Sequence, residues 1–148
     1  MSNTTIFIIS FLSTYLGMEF VAWFTHKYIM HGFLWSWHES HHSPRNGIFE
    51  KNDRFFLVYA TAAIILMFLG HDPLDYRFFL GLGITAYGLT YFLLHDVFIH
   101  RRAKWFDRLN SPYLTAMRKA HKAHHKSMGK NGCIEFGLLL FNKRFFKI

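Results

Sequence analysis

The chain has one cysteine in 148 residues, Cys133, which excludes an intramolecular disulfide and is compatible with a reducing compartment. Charge is also scarce. Only 18% of the residues are charged, against about 25% in an ordinary soluble domain. With 51% hydrophobic and 20% aromatic residues, the composition is that of a membrane protein. No phosphate-binding or dinucleotide motif is present: Gly81-Leu82-Gly83 lies inside an apolar run with no helix cap after it. No basic residue occurs in Met1 to Thr5, so the first apolar run is expected to be an uncleaved anchor and not a secretory signal. The length suits one membrane-embedded domain, 1–148.

Histidine, in contrast, is abundant and ordered. Ten of the eleven histidines form a two-part pattern that occurs twice. The first copy is His26-x4-His31 followed by His38-x2-His41-His42; the second is His95-x4-His100 followed by His121-x2-His124-His125. Only His71 lies outside, in a Gly-His-Asp-Pro loop. Neutral imidazole is a common ligand for zinc, copper, iron and nickel, and ten are too many for one ion. About five nitrogens for each of two metals leaves a sixth position open on six-coordinate iron. The pattern therefore predicts a histidine-only dinuclear site.

Two rival motifs fail on the second copy. His38-Glu39-Ser40-His41-His42 satisfies H-E-x-x-H, in which the glutamate of a zinc protease acts as general base. The corresponding segment, His121-Lys122-Ala123-His124-His125, has lysine in that place. The Glu-x-x-His element of di-iron carboxylate bundles occurs in pairs, and here it too is single.

Three runs are apolar enough to cross a bilayer: about 4–25, with Glu19 as its one charge, and 55–70 and 78–94 with none. The second and third are short, since a rise of about 1.5 Å per residue gives about 24 to 26 Å against a hydrocarbon core of about 30 Å. Snorkelling Arg54 and Arg77, flanking aromatics or local thinning would complete them. Sixteen of the seventeen Lys and Arg residues lie after the first run and before the second, or after the third; the exception is Arg77. The positive-inside rule then places the N-terminus and the 71–77 hairpin outside, and 26–54 and 95–148 in the cytoplasm. The expected fold is an all-α integral membrane protein. It has three spanning helices, or four if the third breaks at Gly81, Gly83 or Gly88, with cytoplasmic helices carrying the second and fourth histidine boxes.

Local geometry favours shared coordination. If 36–44 is helical, His38, His41 and His42 lie on one face, as do His121, His124 and His125. The latter helix has a start signal in Ser111 and Pro112, with Leu114, Met117, Ala120, His121 and His124 along one face. The x4 pairs fit less well, because residues i and i+5 diverge by about 140° on a regular helix. Either each pair addresses different metals or the helix loosens there.

The residues resemble a known family, the bacterial and plant β-carotene hydroxylases of the membrane fatty-acid hydroxylase superfamily. The likeness runs through 23–35 (WFTHKYIMHGFLW), 38–44 (HESHHSP), 47–53 (GIFEKND), Thr85-Ala86-Tyr87-Gly88, Tyr91-Phe92, His95-Asp96, His100 and 121–125 (HKAHH). It continues at 132–137, where GCIEFG is similar to the family's Gly-Cys-Val-Ser-Phe-Gly. The tail departs from it: the family usually has a proline there, whereas this chain reads FNKRFF at 141–146. That segment carries no box, so the departure bears on a lid or membrane contact more than on chemistry.

The resemblance implies O2-dependent hydroxylation at C3 and C3′ of β-ionone rings, from β-carotene through cryptoxanthin to zeaxanthin. It implies two non-haem iron ions held by the ten histidines and reduced ferredoxin as electron donor. Oxygen insertion at an unactivated C–H bond lies beyond side-chain acid–base chemistry and must belong to a metal centre. The carotenoid would enter from the bilayer of the inner membrane.

Glu19, seven residues before His26, and Asp96, next to His95, are candidates for orienting ligand imidazoles from behind. Asp53 and Asp107 read as solvated or helix-capping. Arg101, Arg102, Lys104, Arg108, Arg118, Lys119, Lys122 and Lys126 form a basic face for anionic lipid headgroups, and for an acidic ferredoxin if the family reading holds. Nucleic acid is not expected, because the charge follows membrane topology and no recognition module accompanies it. The competing functions are a hydroxylase or desaturase of fatty acyl or sterol lipids, and a non-catalytic metal-binding membrane protein or transporter.

Overall fold

A computed structural model describes the chain except for residues 44–46, 48, 104–105, 107–108, 110 and 147–148. Lys104, Asp107 and Arg108, named above, therefore lie outside the described residues, as do Pro44 and Ile48. The elements are helical: α1 (Asn3–Phe24), a π-helical stretch (Thr25–Phe33), α2 (Trp35–His42), α3 (Asp53–Leu69), α4 (Tyr76–Tyr91), a second π-helical stretch (Phe92–Ile99), α5 (Pro112–His124) and a 3-10 turn (Lys143–Phe146). Among the described residues, two helical stretches are long and apolar enough to cross a membrane, Asn3–Phe33 and Tyr76–Ile99. The third apolar run folds as α3, 17 residues long.

The chain forms two compact units, each discontinuous in sequence. The first comprises Met1–Met18 and Arg54–Thr90. Its helices are apolar on every side, the pattern of a segment whose surroundings are not water; Leu16, Ile64 and Phe68 are all more than 60% exposed. Contacts inside this unit are aromatic and close. Phe7 stacks on Phe79 with centroids 4.4 Å apart, and Tyr15 meets Tyr87 edge-on and bonds its hydroxyl to that of Thr90 at 3.1 Å.

Helix α4 runs unbroken through Gly81, Gly83 and Gly88, so no fourth span arises from a break there. Two of these glycines serve close approach instead. A Cβ on Gly81 would lie 2.6 Å from the Ala63 carbonyl oxygen, and one on Gly83 would lie 2.8 Å from that of Phe11. Gly81 thus lets α3 pack against α4, and Gly83 does the same for α1, as small residues do in membrane helix pairs.

The second unit comprises Glu19–Asp53 and Tyr91–Ile148. Its core contains Val97, Phe98, Ala116, Met117, Ala120 and Leu138, together with histidines. Helix α5 starts where the sequence signals it: the Ser111 side chain accepts from the Leu114 amide at 3.2 Å, and Pro112 takes the first position, where no amide is required. Its buried face is Ala116, Met117, Ala120, His121 and His124. The helix that closes this unit's core therefore also presents ligand-type side chains.

Candidate metal centre

The two π-helical stretches resolve the x4 spacing. In each, the hydrogen bond spans five residues: the Leu34 amide donates to the Ile29 carbonyl at 3.0 Å, and the His100 amide donates to that of His95 at 2.9 Å. A residue and its fifth neighbour then lie one above the other. His26 and His31 come within 5.3 Å between ring centroids, and His95 and His100 within 4.7 Å. The helix has loosened, and each pair stays together.

Ten imidazoles converge in the second unit. One cluster is His26, His31, His38, His42 and His124; another is His41, His95, His100 and His121. In each, the ligand-type nitrogens lie within 4.8 Å of one another. The boxes exchange members. On α2, the outer pair His38 and His42 joins the first cluster and the middle His41 joins the second. At the end of α5 the middle His124 joins the first, and His121 the second. The ring of His125 stands between the two, 4.5 Å from His121, 4.9 Å from His100 and 4.8 Å from His41 of the second cluster and 4.4 Å from His42 of the first.

Hydrogen bonds behind the rings fix the tautomers of the first cluster. The Nδ1–H groups donate to backbone carbonyls, that of His26 to Phe136 at 2.9 Å, His31 to Lys130 at 2.9 Å, His42 to Ser127 at 3.1 Å and His124 to Ile134 at 3.0 Å. His38 donates to Asn52 Oδ1 at 2.7 Å. A carbonyl oxygen can only accept, so the proton sits on Nδ1 and Nε2 keeps a lone pair. These lone pairs face one another: Nε2 of His26 is 3.1 Å from that of His38, and Nε2 of His124 is 3.2 Å from those of His31 and His42. Two acceptors at that distance repel.

A shared cation removes the repulsion. Ligands at right angles on an ion with metal–nitrogen bonds of about 2.1 Å sit about 3 Å apart, which matches the observed separations. In the second cluster Nε2 of His100 lies 2.8 Å from that of His121. Nε2 of His41, His95 and His125 is buried with no hydrogen-bond partner among the described residues. With neither thiolate nor direct carboxylate in the set, the donors suit iron, zinc, copper or nickel.

Protonation is suppressed at the same time. Burial is the leading cause throughout: it lowers His38 to about 2, His100 and His124 to about 3 and His42 to about 4. His41 and His121 fall well below their ordinary value. Neighbouring imidazoles push in the same direction, while the hydrogen bonds to Asn52, Ser127 and Ile134 act against it at His38, His42 and His124. At neutral pH these rings are neutral and ready to ligate.

Asp96 lies behind the second cluster, its Oδ2 3.3 Å from His95 Nδ1. Glu19 acts on the chain that supplies the carbonyls. Its Oε1 accepts from the amides of Leu138, Leu139 and Leu140 at 2.9, 2.8 and 2.9 Å, just beyond Phe136. Gly137 permits this turn, since a Cβ there would collide with the Leu140 carbonyl. Asp53, the first residue of α3, is paired, with Oδ2 accepting from the Glu50 amide at 2.9 Å and Oδ1 2.7 Å from Arg102. Arg102 turns inward and is 17% exposed, while the Arg118 guanidinium lies 4.2 Å from the centre of the Phe98 ring. Of the basic face, Arg101, Lys119, Lys122 and Lys126 remain exposed. His71 is far less enclosed, exposed and bonded to the Phe68 carbonyl at 2.5 Å.

Asn52, Glu50 and the carbonyls of 127–136 are functional groups that residue spacing does not single out. Asn52 and Glu50 lie inside the 47–53 run of the resemblance; the carbonyls leave no trace in sequence.

Among known proteins, the beta-carotene hydroxylase of Pantoea ananas is 45% identical over 126 residues, covering 85% of this chain and 72% of the relative. That of Pseudescherichia vulneris is 44% identical over 143 residues, covering 95% and 78%. The chloroplastic beta-carotene 3-hydroxylase 2 of Arabidopsis thaliana is 40% identical over 129 residues, covering 84% of this chain and 42% of the relative. No solved structure matches. The profile of the fatty acid hydroxylase family matches residues 11–147, which takes in all ten clustered histidines, and the chain belongs to that family.

Proposed function

We propose that the chain hydroxylates the β-ionone rings of carotenoids, taking β-carotene through β-cryptoxanthin to zeaxanthin, with two non-haem irons, O2 and reduced ferredoxin. The observation that carries this is the pair of buried histidine clusters in a chain 44–45% identical to bacterial relatives named beta-carotene hydroxylase. His26, His31, His38, His42 and His124 would hold one iron; His41, His95, His100, His121 and His125 would hold the other. Iron bound there supplies the O2 chemistry that side chains lack.

The remaining tasks fall to the chain. Backbone carbonyls and Asn52 hold five rings with Nε2 facing inward. Burial keeps the rings neutral and water out. Apolar helices suit a substrate that dissolves in a bilayer; the three apolar runs support three spans, and the distribution of Lys and Arg supports placing both histidine regions in the cytoplasm. This orientation puts the exposed Arg101, Lys119, Lys122 and Lys126 where anionic lipid headgroups and an acidic ferredoxin are found.

Product analysis tests the reading. In a bacterium that accumulates β-carotene, with a ferredoxin system and iron, the chain is expected to yield carotenoids heavier by one and then two oxygen atoms, with label from O2 and none from water. Unmodified carotenoids beside hydroxylated fatty acids or sterols would instead assign a lipid substrate. No oxidised product of any kind would leave a metal-binding protein.

A further inference from the structure

The two clusters differ in what stands behind them. All five rings of the first donate Nδ1–H to neutral acceptors, four backbone carbonyls and the Asn52 amide oxygen. Behind the second stand carboxylates: Asp96 Oδ2 is hydrogen-bonded to His95 Nδ1 at 3.3 Å, and Glu50 Oε2 lies 3.4 Å from His41 Nδ1, within reach of charge attraction though outside hydrogen-bond geometry. Both are enclosed, with side chains 11% and 15% exposed. Arg102 joins them, its guanidinium 3.2 Å from Asp96 Oδ1 and 3.8 Å from Glu50 Oε1, and 2.7 Å from Asp53 Oδ1. Two ionisable carboxylates thus stand behind rings of the second cluster. The ring acceptors of the first cluster include none.

A carboxylate behind a ligating imidazole raises its basicity and adds attraction for the cation, and losing such a partner typically lowers metal affinity roughly 10–100-fold. Arg102 offsets part of this charge while holding Glu50 and Asp96 in place. We infer that the clusters are unequal cation sites: the one backed by Glu50 and Asp96 takes a divalent metal first and more tightly than the one backed by carbonyls and Asn52. This inference rests on the dinuclear reading.

The test is an anaerobic titration of the metal-depleted full chain in detergent with cobalt(II), against a competing chelator, followed by its visible absorption. Two equivalents are expected, in two resolved steps. Asp96→Asn should weaken the tighter step about 10-fold or more, Glu50→Gln should weaken the same step, and both should leave the weaker one in place. Asn52→Asp puts a carboxylate behind His38 with almost no change of shape, so it should tighten the weaker step and narrow the gap. Should the first two variants fail to fold, the wild-type chain and Asn52→Asp decide the matter. Two equivalents of equal affinity, or an Asn52→Asp variant that alters only the tighter step or neither, would overturn the inference while leaving the dinuclear reading intact. Saturation below two equivalents would overturn both.

Discussion

At the scale of single residues, the informative atom is the ring nitrogen facing inward. His124 Nε2 sits 3.2 Å from the Nε2 atoms of both His31 and His42, while its Nδ1–H is committed to the Ile134 carbonyl. Removing this ring deprives one cluster of a central donor and leaves the other nearly complete. His124→Ala is therefore expected to lower iron content by about one ion per chain and to abolish turnover, measured by metal analysis and product formation. His71→Ala, at an exposed loop position, should change neither. The ten ligand candidates were legible from spacing alone, because a repeat of both spacings is hard to explain without a shared ion. The exchange of His41 and His124 between clusters was not legible, since it depends on how α2 and the end of α5 face one another.

At the scale of elements, two devices shape the site. The π-helical stretches turn a spacing that a regular helix would scatter into paired ligands, and a sequence read at 3.6 residues per turn can only flag that mismatch. The segment 127–140 is the other device: it supplies four carbonyls to the first cluster and is pinned by Glu19 through three amides. Glu19 was legible as the one carboxylate in an apolar run, but its partner amides were not, because any residue type carries an amide. Replacing Glu19 with Leu leaves these amides without that acceptor, at about 1–3 kcal/mol for each that stays buried. Lower thermal stability and faster amide exchange at 138–140 are the expected outcome, and unchanged exchange there would speak against the pin. In the first unit the glycines divide similarly. Gly81→Ala would force a contact with the Ala63 backbone and should destabilise by about 1–3 kcal/mol. Gly88→Ala meets open space, gains helix propensity of up to about 1 kcal/mol, and should raise the melting temperature or leave it unchanged.

At the scale of the whole molecule, composition and charge order speak about the membrane, and the histidines about chemistry. The apolar runs fold as helices within a few residues of their expected limits, because a long run free of proline and with at most one charge has few alternatives. The count of spans was less legible, since α3, at 17 residues, lies at the edge of what a bilayer requires. Orientation has its own measurement. A membrane-impermeant thiol reagent should reach Cys133 only after cells are opened, whereas Asp72→Cys in a Cys133→Ser background should react in intact cells. Burial pushes the Cys133 thiol up, so the labelling belongs at mildly alkaline pH; the reverse pattern would invert the topology. The central claim, that ten histidines build two nitrogen-only metal centres, is tested most directly by anaerobic loading of the purified chain with ferrous iron, followed by iron counting and X-ray absorption at the iron edge. Two irons per chain with nitrogen-dominated first shells is the predicted result. Saturation at one iron, or a first shell dominated by oxygen or sulfur, would contradict it.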